Sequence, residues 1–431
     1  MRRYSRLLLI ILLFLGTGQG WIQRKILFPL WSSNYSLKQY GLLKGLSPEH
    51  IPAALAGFRE LLASILWVRA DMFFHEGNFD AVIPIIRLVS WLDPHNIDVF
   101  SVGMWHIGYN FTDQEHRSDR RYIPCALALG EEGARKNSHT YEMFFELGWM
   151  WHHKIDDDYP QAVKWMQEAN QHGDILFARR SMLAHAYLRN GEPEKALDHY
   201  HHLLQKAEKN YSLDPDYGNH QILETIEKNL DFLALRTVHR KHHIHALHNV
   251  DFSAKVRVIE PKVLQIEGTW NMDAVGTKIR VILRDKKDQR AKPAGLLWNV
   301  SKAFQPEPSE DQTYMQDQIH VKNRYFKKRI DMSKDPVIYP FDSSDYLVEF
   351  YYNPRSAPAN IQDRLGISGM GMTDSHFLNT KIRPHQRVIY AALELSQDQI
   401  LRKNQWTHKI PVIQTKNFKT VPKKSFETET L

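Results

Sequence analysis

The strongest constraint on how this chain can fold is a spacing typical of paired helices near its middle. Small and apolar side chains recur there at helical intervals: Phe144, Leu147, Gly148, Trp151, Ala162 and Met166. Residues three or four positions apart share one face of a helix, and a glycine on that face lets a second backbone approach closely. The pattern predicts two helices packed against each other as a hairpin.

Related patterns occur on both sides of this segment. They divide the chain into four predicted hairpins, at 63–96, 97–140, 141–174 and 177–210. In two of the hairpins the second helix is expected to end at Leu-Asp-Pro, at 92–94 and 213–215, because proline stops a helix. The second hairpin contains a charged insertion at 112–121, and the turn of the third hairpin, 154–158, has no glycine.

The spacing is about 34 residues in three of the four units, so residues 60–215 resemble the tetratricopeptide (TPR) repeat family. The resemblance implies an α-solenoid whose surface binds other polypeptides, without implying a reaction. A helix from Gln221 to about Leu235 is expected to cap the open end. We therefore expect a TPR-like helical array with a capping helix over residues 51–248.

Past His248 the periodicity changes from helical to alternating, which predicts β-strands. Strands are predicted at 254–259, 263–270, 277–283, 295–301, 345–352 and 385–395. The residues from Asn271 to Gly276 are expected to join two of these strands as a hairpin turn. The polar, proline-containing stretch 305–342 predicts a long irregular excursion.

The predicted fold class is therefore multidomain α plus β. A TPR-like α-solenoid of helical hairpins is followed by an antiparallel β-sandwich-like domain at 249–398. The last segment, 399–431, is rich in lysine and threonine and predicts a basic flexible tail.

The N-terminus has the layout of a secretory signal. Arg2, Arg3 and Arg6 precede the apolar run 7–15, and small residues follow at 16–20. Residues 1–22 are either a cleaved signal peptide or a signal anchor, and 23–50 form a linker. Because the arginines stay in the cytoplasm, both alternatives place the rest of the chain on the extracytoplasmic side, in the periplasm or at the cell surface. The small-residue exit lacks alanine, which favours the anchor, and an anchor also holds the protein at the membrane.

Composition excludes several classes of protein. The net charge of +7 is a mild excess for 431 residues and does not indicate nucleic-acid binding. Cys125 is the single cysteine, so an intramolecular disulfide and a zinc site built on several cysteines are both excluded.

In the TPR family the first helix of each hairpin lines the inner groove. Projection at helical spacing predicts a protein-binding groove of Trp67, Asp71, Phe74, His75, Trp105, Tyr109, Phe145, Glu146, Trp149, His152, His153, His185 and Arg189. Aromatic side chains give a large contact area at a low entropic cost, which suits a peptide or a glycan. The alternative is that the chain's own linker or β-domain fills the groove.

Candidate catalytic and metal sites are weak. His152 and His153 lie near the acidic residues 156–158, but a polar turn explains that arrangement, and basic residues interrupt the histidine run 239–248. Ser375 and His376 are adjacent, so they cannot easily act as nucleophile and base on each other. We expect no catalytic residue, no metal and no cofactor.

The sequence thus predicts a non-catalytic envelope scaffold or adaptor that binds a protein or peptide through its groove. The alternative is an envelope carbohydrate-binding protein or hydrolase with its site on the β-domain. A third possibility, a cytoplasmic co-chaperone, requires an N-terminal run that does not enter the membrane. The basic and aromatic segment 322–329 predicts a solvated loop or a surface for anionic lipid or wall polymer.

Overall fold

The computed structural model describes most of the chain between residues 58 and 414. The described residues are Trp21, Lys25, 58–111, 122–243, 248–272, 277–287, 313–334, 339–373, 378–379, 383, 385–403 and 412–414. The strand predicted at 295–301, the charged insertion at 112–121, the pair Ser375–His376 and most of the predicted segments 1–22, 23–50 and 399–431 lie outside them.

Within the described part of the chain, no helix combines the length and the apolar character that a membrane crossing requires.

The chain forms two compact units that divide between Asp93 and Pro94. The first contains helix α1, Arg59–His75, and helix α2, Phe79–Leu92. These two helices pack together, as the hairpin predicted at 63–96 requires. Gly77 has a φ of 74° in the turn between them, a left-handed conformation that glycine adopts without strain.

Among its described residues, the second unit begins with eight α-helices. They are α3 (Ile97–Trp105), α4 (Ile123–Lys136), α5 (Glu142–Trp149), α6 (Tyr159–Gln171), α7 (Phe177–Arg180), α8 (Met182–Asn190), α9 (Pro193–Leu213) and α10 (Tyr217–His243). Each of the longer helices contacts the next, and α3 also contacts α5 while α6 contacts α8. The helices of this unit therefore pack side by side in the order in which they follow along the chain.

Gly148 explains why α5 and α6 approach so closely. A Cβ at this position would lie 2.6 Å from Met166 Cγ and 3.3 Å from the Ala162 carbonyl oxygen. The residues that the sequence pattern paired are therefore in contact across the helix crossing.

Two helices in this unit widen into π-helical turns. Helix α3 continues into the turn His106–Asn110, and α5 continues into the turn Met150–Ile155. Their amide bonds span five residues, from Phe111 to His106 and from Asp156 to Trp151. Such turns are rare and often occur at functional sites.

The described residues between 248 and 414 form a β module. Its strands are β1 (His248–Asn249), β2 (Phe252–Glu260), β3 (Val263–Trp270), β4 (Lys278–Asp285), β5 (Tyr314–His320), β6 (Tyr325–Asp331), β7 (Asp345–Tyr352), β8 (Met372–Thr373), β9 (Leu378–Asn379), β10 (Val388–Ser396) and β11 (Val412–Gln414). Two short helices, α11 (Ala359–Leu365) and α12 (Gln397–Leu401), accompany them.

The strands build two antiparallel sheets and a short parallel pair. One sheet has the order β5-β4-β7-β10-β9, the other has the order β11-β2-β3-β6, and β1 pairs with β8. Apolar side chains of both sheets, such as Ile266 and Phe326 on one and Val281 and Phe350 on the other, belong to one buried core. The fold is therefore mixed, with helical hairpins followed by antiparallel sheets.

Two predictions about this module are wrong. The residues from Asn271 to Gly276 do not connect a hairpin, because β3 and β4 belong to different sheets. The stretch 305–342 is not irregular throughout, since it contains β5 and β6. The hydrogen bonds of these two strands run to β4 and β3, which the local polar composition does not reveal.

The basic and aromatic segment 322–329 is therefore mostly strand rather than loop. Phe326 is buried in the core, while the ammonium of Lys328 lies 3.0 Å from an Asp317 oxygen. Arg329 pairs with Asp331 at 3.3 Å and with Glu260 at 3.5 Å. Binding of anionic lipid or wall polymer to this segment stays a prediction.

Candidate functional site

Five rings from the predicted groove form a continuous stack on the second and third hairpins. We call Trp105, Tyr109, Phe145, Trp149 and His153 the aromatic cluster. Their ring centroids lie 4.1 Å apart from Trp105 to Tyr109, 5.9 Å from Tyr109 to His153, 5.0 Å from His153 to Trp149 and 6.5 Å from Trp149 to Phe145. The angles between successive ring planes are 22° or less.

Helix geometry explains the order of the stack. Trp105 and Tyr109 are four residues apart, as are Trp149 and His153, so the members of each pair lie on one side of their helix. Tyr109 and His153 both belong to π-helical turns, and the Tyr109 hydroxyl lies 3.3 Å from His153 Nδ1. The two π turns thus bring the rings of neighbouring hairpins together.

Polar groups connect the two ends of the aromatic cluster. The indole nitrogen of Trp105 donates to Glu146 Oε2 at 3.1 Å, and the other oxygen of Glu146 lies 3.5 Å from Arg179 Nη1. The Arg179 guanidinium in turn lies 4.6 Å from the centre of the Phe145 ring, a cation–π contact. The cluster is therefore fixed in place by a closed circuit of contacts.

The aromatic cluster is partly open to solvent. Trp105 is 36% exposed and His153 is exposed, whereas Phe145 is buried. Lys154 lies 5.1 Å from the centre of the Tyr109 ring, so cations lie beside rings at two places in the cluster. The surface combines fixed aromatic rings with positive charge.

Other predicted groove residues lie outside this cluster. In the first unit, the Phe74 and His75 rings are 5.5 Å apart, His75 Nδ1 lies 2.8 Å from the Asp71 carbonyl oxygen, and Trp67 is half-buried. These side chains belong to a separate compact unit.

His152, in the second π turn, faces inward. Its ring stacks on Trp149 at 5.8 Å and meets Tyr159 edge-on at 6.1 Å. Neither ring nitrogen has a hydrogen-bond partner among the described residues. Desolvation, reinforced by the positive charge of Arg189, lowers the pKa of His152 to about 3. The side chain is therefore neutral at physiological pH.

His185 and Arg189 lie on α8, where the helices meet the β module. Arg189 Nη1 donates to the Ala357 carbonyl at 2.7 Å and also to the Arg355 carbonyl. Desolvation and the charge of Arg189 lower the pKa of His185. At this end of the predicted groove, backbone carbonyl oxygens of the same chain accept the hydrogen bonds of Arg189 Nη1.

The acidic turn 156–158 forms the centre of this contact, which we call the helix–sheet junction. Asp156 has φ 53° and ψ 44°, which is the left-handed conformation. Glycine usually takes this conformation in a turn, but this turn contains no glycine, and Asp156 adopts it instead. Arg280 Nη2 donates to its carboxylate at 2.9 Å, and Ser356 donates to its carbonyl oxygen. Aspartate tolerates this conformation better than most residues.

Asp157 and Asp158 are buried in the helix–sheet junction. Asp157 accepts hydrogen bonds from the Tyr351 hydroxyl at 2.6 Å and from the Asn353 amide at 2.7 Å, and it pairs with Arg383. Desolvation disfavours the charged form of both partners. It raises the pKa of Asp158 to about 6 and lowers the pKa of Arg383 to about 10. These groups form a structural polar network.

Among the described residues, no group of three or more histidine, cysteine, aspartate or glutamate side chains is arranged to hold a metal ion. The carboxylates near His152 and His153 pair with Arg280 and Arg383 instead. The acidic turn that suggested a weak metal site therefore serves the helix–sheet junction.

Comparisons with known proteins add little to this description. No family model matches the chain, and no curated protein matches it. One solved structure of MamA protein matches with 17% identity over 43% of this chain and 97% of that chain, at a TM-score of 0.26. A second MamA structure matches with 20% identity over 39% and 88%, at a TM-score of 0.25. Similarity at this level carries no argument about fold or function.

Sequence reasoning missed one member of the site. Arg179 lies on the short helix α7, which follows the third hairpin, and it contacts both Phe145 and Glu146. The run Arg179-Arg180 was visible in the sequence. Only the packing of α7 brings the first of these arginines to the aromatic cluster.

Proposed function

We propose that this chain is a non-catalytic adaptor that binds a polypeptide partner on the aromatic cluster. The observation that carries the proposal is the closed circuit of contacts that fixes five rings while Trp105 and His153 remain exposed. Ordering of side chains is a large cost of association, and a surface that is already ordered avoids much of it. Tryptophan, tyrosine and arginine also dominate the energetics of protein interfaces.

The charges near the aromatic cluster favour an acidic partner. Arg179 beside the Phe145 ring is offset by Glu146, which also accepts from Trp105. Lys154, beside the Tyr109 ring, leaves one net positive charge among these three side chains. A segment with an apolar or aromatic side chain next to an acidic residue would complement both features. A glycan fits less well, because Tyr109, His153 and Trp149 each have two ring neighbours from the cluster, which leaves less ring face for a sugar.

The proposal includes a TPR-like arrangement of the helices. Its support is the contact of α3 with α5 and of α6 with α8, together with the close crossing at Gly148. In that arrangement α3 and α5 are the first helices of two successive hairpins, and their exposed rings lie on the face that TPR proteins use for binding.

We further propose that the protein works in the cell envelope. The support is the order of arginines, apolar run and small residues at the N-terminus. Expression of the full chain with a C-terminal tag, followed by membrane fractionation and protease treatment of intact cells, tests this. A tag that is recovered in the cytosol and stays protected from protease would contradict the envelope location.

The docking proposal is tested by photocrosslinking in the native host. A photoreactive phenylalanine analogue at Tyr109 is expected to crosslink to a discrete polypeptide. Trp105→Ala or Trp149→Ala should reduce that crosslink about tenfold, which corresponds to the loss of one interface anchor. Circular dichroism should confirm that these variants remain folded.

Trp165→Ala is the matched control, because Trp165 is a half-buried tryptophan on α6, outside the aromatic cluster. This change should leave the crosslink intact. A crosslink that persists in Trp105→Ala and Trp149→Ala, or that falls equally in Trp165→Ala, would count against docking on the cluster.

A further inference from the structure

A cavity of about 370 Å³ lies at the helix–sheet junction. Arg189 contributes to its wall from α8, Lys278 and Arg280 from β4, and Tyr352 from the end of β7. This volume falls within the range of small-molecule sites in proteins. None of the lining residues belongs to the aromatic cluster, so the cavity is a separate feature of the molecule.

The cavity carries an excess of positive charge. Its wall contains three cationic side chains, Arg189, Lys278 and Arg280, and one acidic side chain, Asp156. Asp156 is matched by Arg280 at 2.9 Å. Arg189 donates to neutral carbonyl oxygens, and Lys278 has no side-chain partner among the described residues. Two positive charges at this cavity are therefore not balanced by a carboxylate of the described chain.

We propose that this cavity binds a small organic dianion through Arg189 and Lys278. A dianionic group matches the two uncompensated positive charges, and its oxygens accept hydrogen bonds from a guanidinium and an ammonium. The ligand class is a phosphomonoester or a dicarboxylate, which share this chemistry. Because the wall includes α8 as well as β4 and β7, a bound dianion would bridge the helices and the β module.

Isothermal titration calorimetry on the full chain, at constant ionic strength and near pH 7.5, tests the inference. The probes are inorganic phosphate for the phosphomonoester and succinate for the dicarboxylate, with acetate as the monoanion. Saturable one-to-one binding of phosphate or succinate is expected, and the probe that binds identifies the class. Lys278→Gln should weaken that binding by about tenfold or more.

Lys327→Gln is the matched control, because Lys327 is an exposed strand lysine on β6, outside the cavity. This change should leave the affinity unaltered. The inference is overturned if neither dianion binds, if acetate binds as tightly as succinate, or if Lys278→Gln and Lys327→Gln have equal effects.

Discussion

Arg280, on strand β4, holds the left-handed residue Asp156 through two hydrogen bonds. Its Nη2 lies 2.9 Å from Asp156 Oδ2 and 2.7 Å from the carbonyl oxygen of the same residue. Strand β4 thus stabilises the turn between α5 and α6 with Asp156 in the left-handed conformation. Hairpin and sheet consequently stabilise each other.

Asp157→Ala should destabilise the protein strongly. The change removes the closer of two carboxylates that pair with the buried Arg383, and it removes the acceptor for Tyr351 and Asn353. Breaking a buried pair on one side costs about 3 to 5 kcal/mol, because a charge is left uncompensated. Urea denaturation followed by circular dichroism measures the loss in free energy of unfolding.

Arg236→Ala serves as the control for that measurement. Arg236 pairs with Asp363 at 3.2 Å, but both side chains are partly open to solvent. A pair of this kind contributes about 1 kcal/mol or less. Equal effects of Arg236→Ala and Asp157→Ala would contradict the assignment of Asp157 as a buried anchor.

His152 should make the protein sensitive to acid. Its folded pKa of about 3 lies below the ordinary value of 6.5, so the unfolded chain takes up the proton first. The stability linked to His152 is present above pH 6.5 and is lost as the pH falls toward 3, up to roughly 5 kcal/mol. His152→Phe should flatten this part of a stability profile measured between pH 4 and 7.5. His201→Phe is the control, because His201 is exposed, and it should leave the profile unchanged. The prediction is refuted if His152→Phe also leaves the profile unchanged.

Asp158 should act in the opposite direction. Its folded pKa of about 6 lies above the ordinary 3.8, so folding favours the protonated carboxyl, and stability falls as the pH rises from 4 to 6. The cost at neutral pH is at most about 3 kcal/mol, and Arg383, 3.6 Å away, offsets part of it. Asp158→Asn should therefore be more stable than the parent at pH 7 but not at pH 4. A gain of equal size at both values would exclude this explanation.

Gly148→Ala should loosen the crossing of α5 and α6. The new Cβ would lie 2.6 Å from Met166 Cγ and 3.1 Å from the Met166 amide nitrogen, so the backbone must shift. Overpacking of this kind costs about 1 to 3 kcal/mol, and the better helix propensity of alanine recovers up to about 1. Gly173→Ala is the control, because no heavy atom lies within 4 Å of its added Cβ. Thermal unfolding of the two variants should differ clearly, and equal melting temperatures would be incompatible with the close crossing.

The sequence predicted the elements whose periodicity depends on a buried face. The Gly148 crossing and the strand at 345–352 are present, since their apolar residues follow the helical and the alternating period. Strand β6 was missed because only Phe326 and Ile330 are buried among its polar residues. The pairing of β3 and β4 was wrong because neighbouring strands in a chain do not always pair.

The candidate site was predictable only in its composition. Helical spacing placed Trp105, Tyr109, Trp149 and His153 on first helices. Their stacking depends on two π turns, which no pattern in the sequence predicts. Arg179 joins through packing of a short helix, and the role of the acidic turn depends on strands far along the chain. Such contacts arise from tertiary structure rather than local pattern.

The anchoring of Asp157 has a consequence for synthesis on the ribosome. Tyr351 and Asn353 follow it by 194 and 196 residues, so the helical hairpins emerge well before the groups that satisfy their acidic turn. Until those residues are synthesised, the carboxylate of Asp157 lacks these two partners, and it must remain hydrated because burial without them would cost free energy. Docking to the late strands is consequently a slow, long-range step, and truncated translation products should carry this turn hydrated and susceptible to proteases.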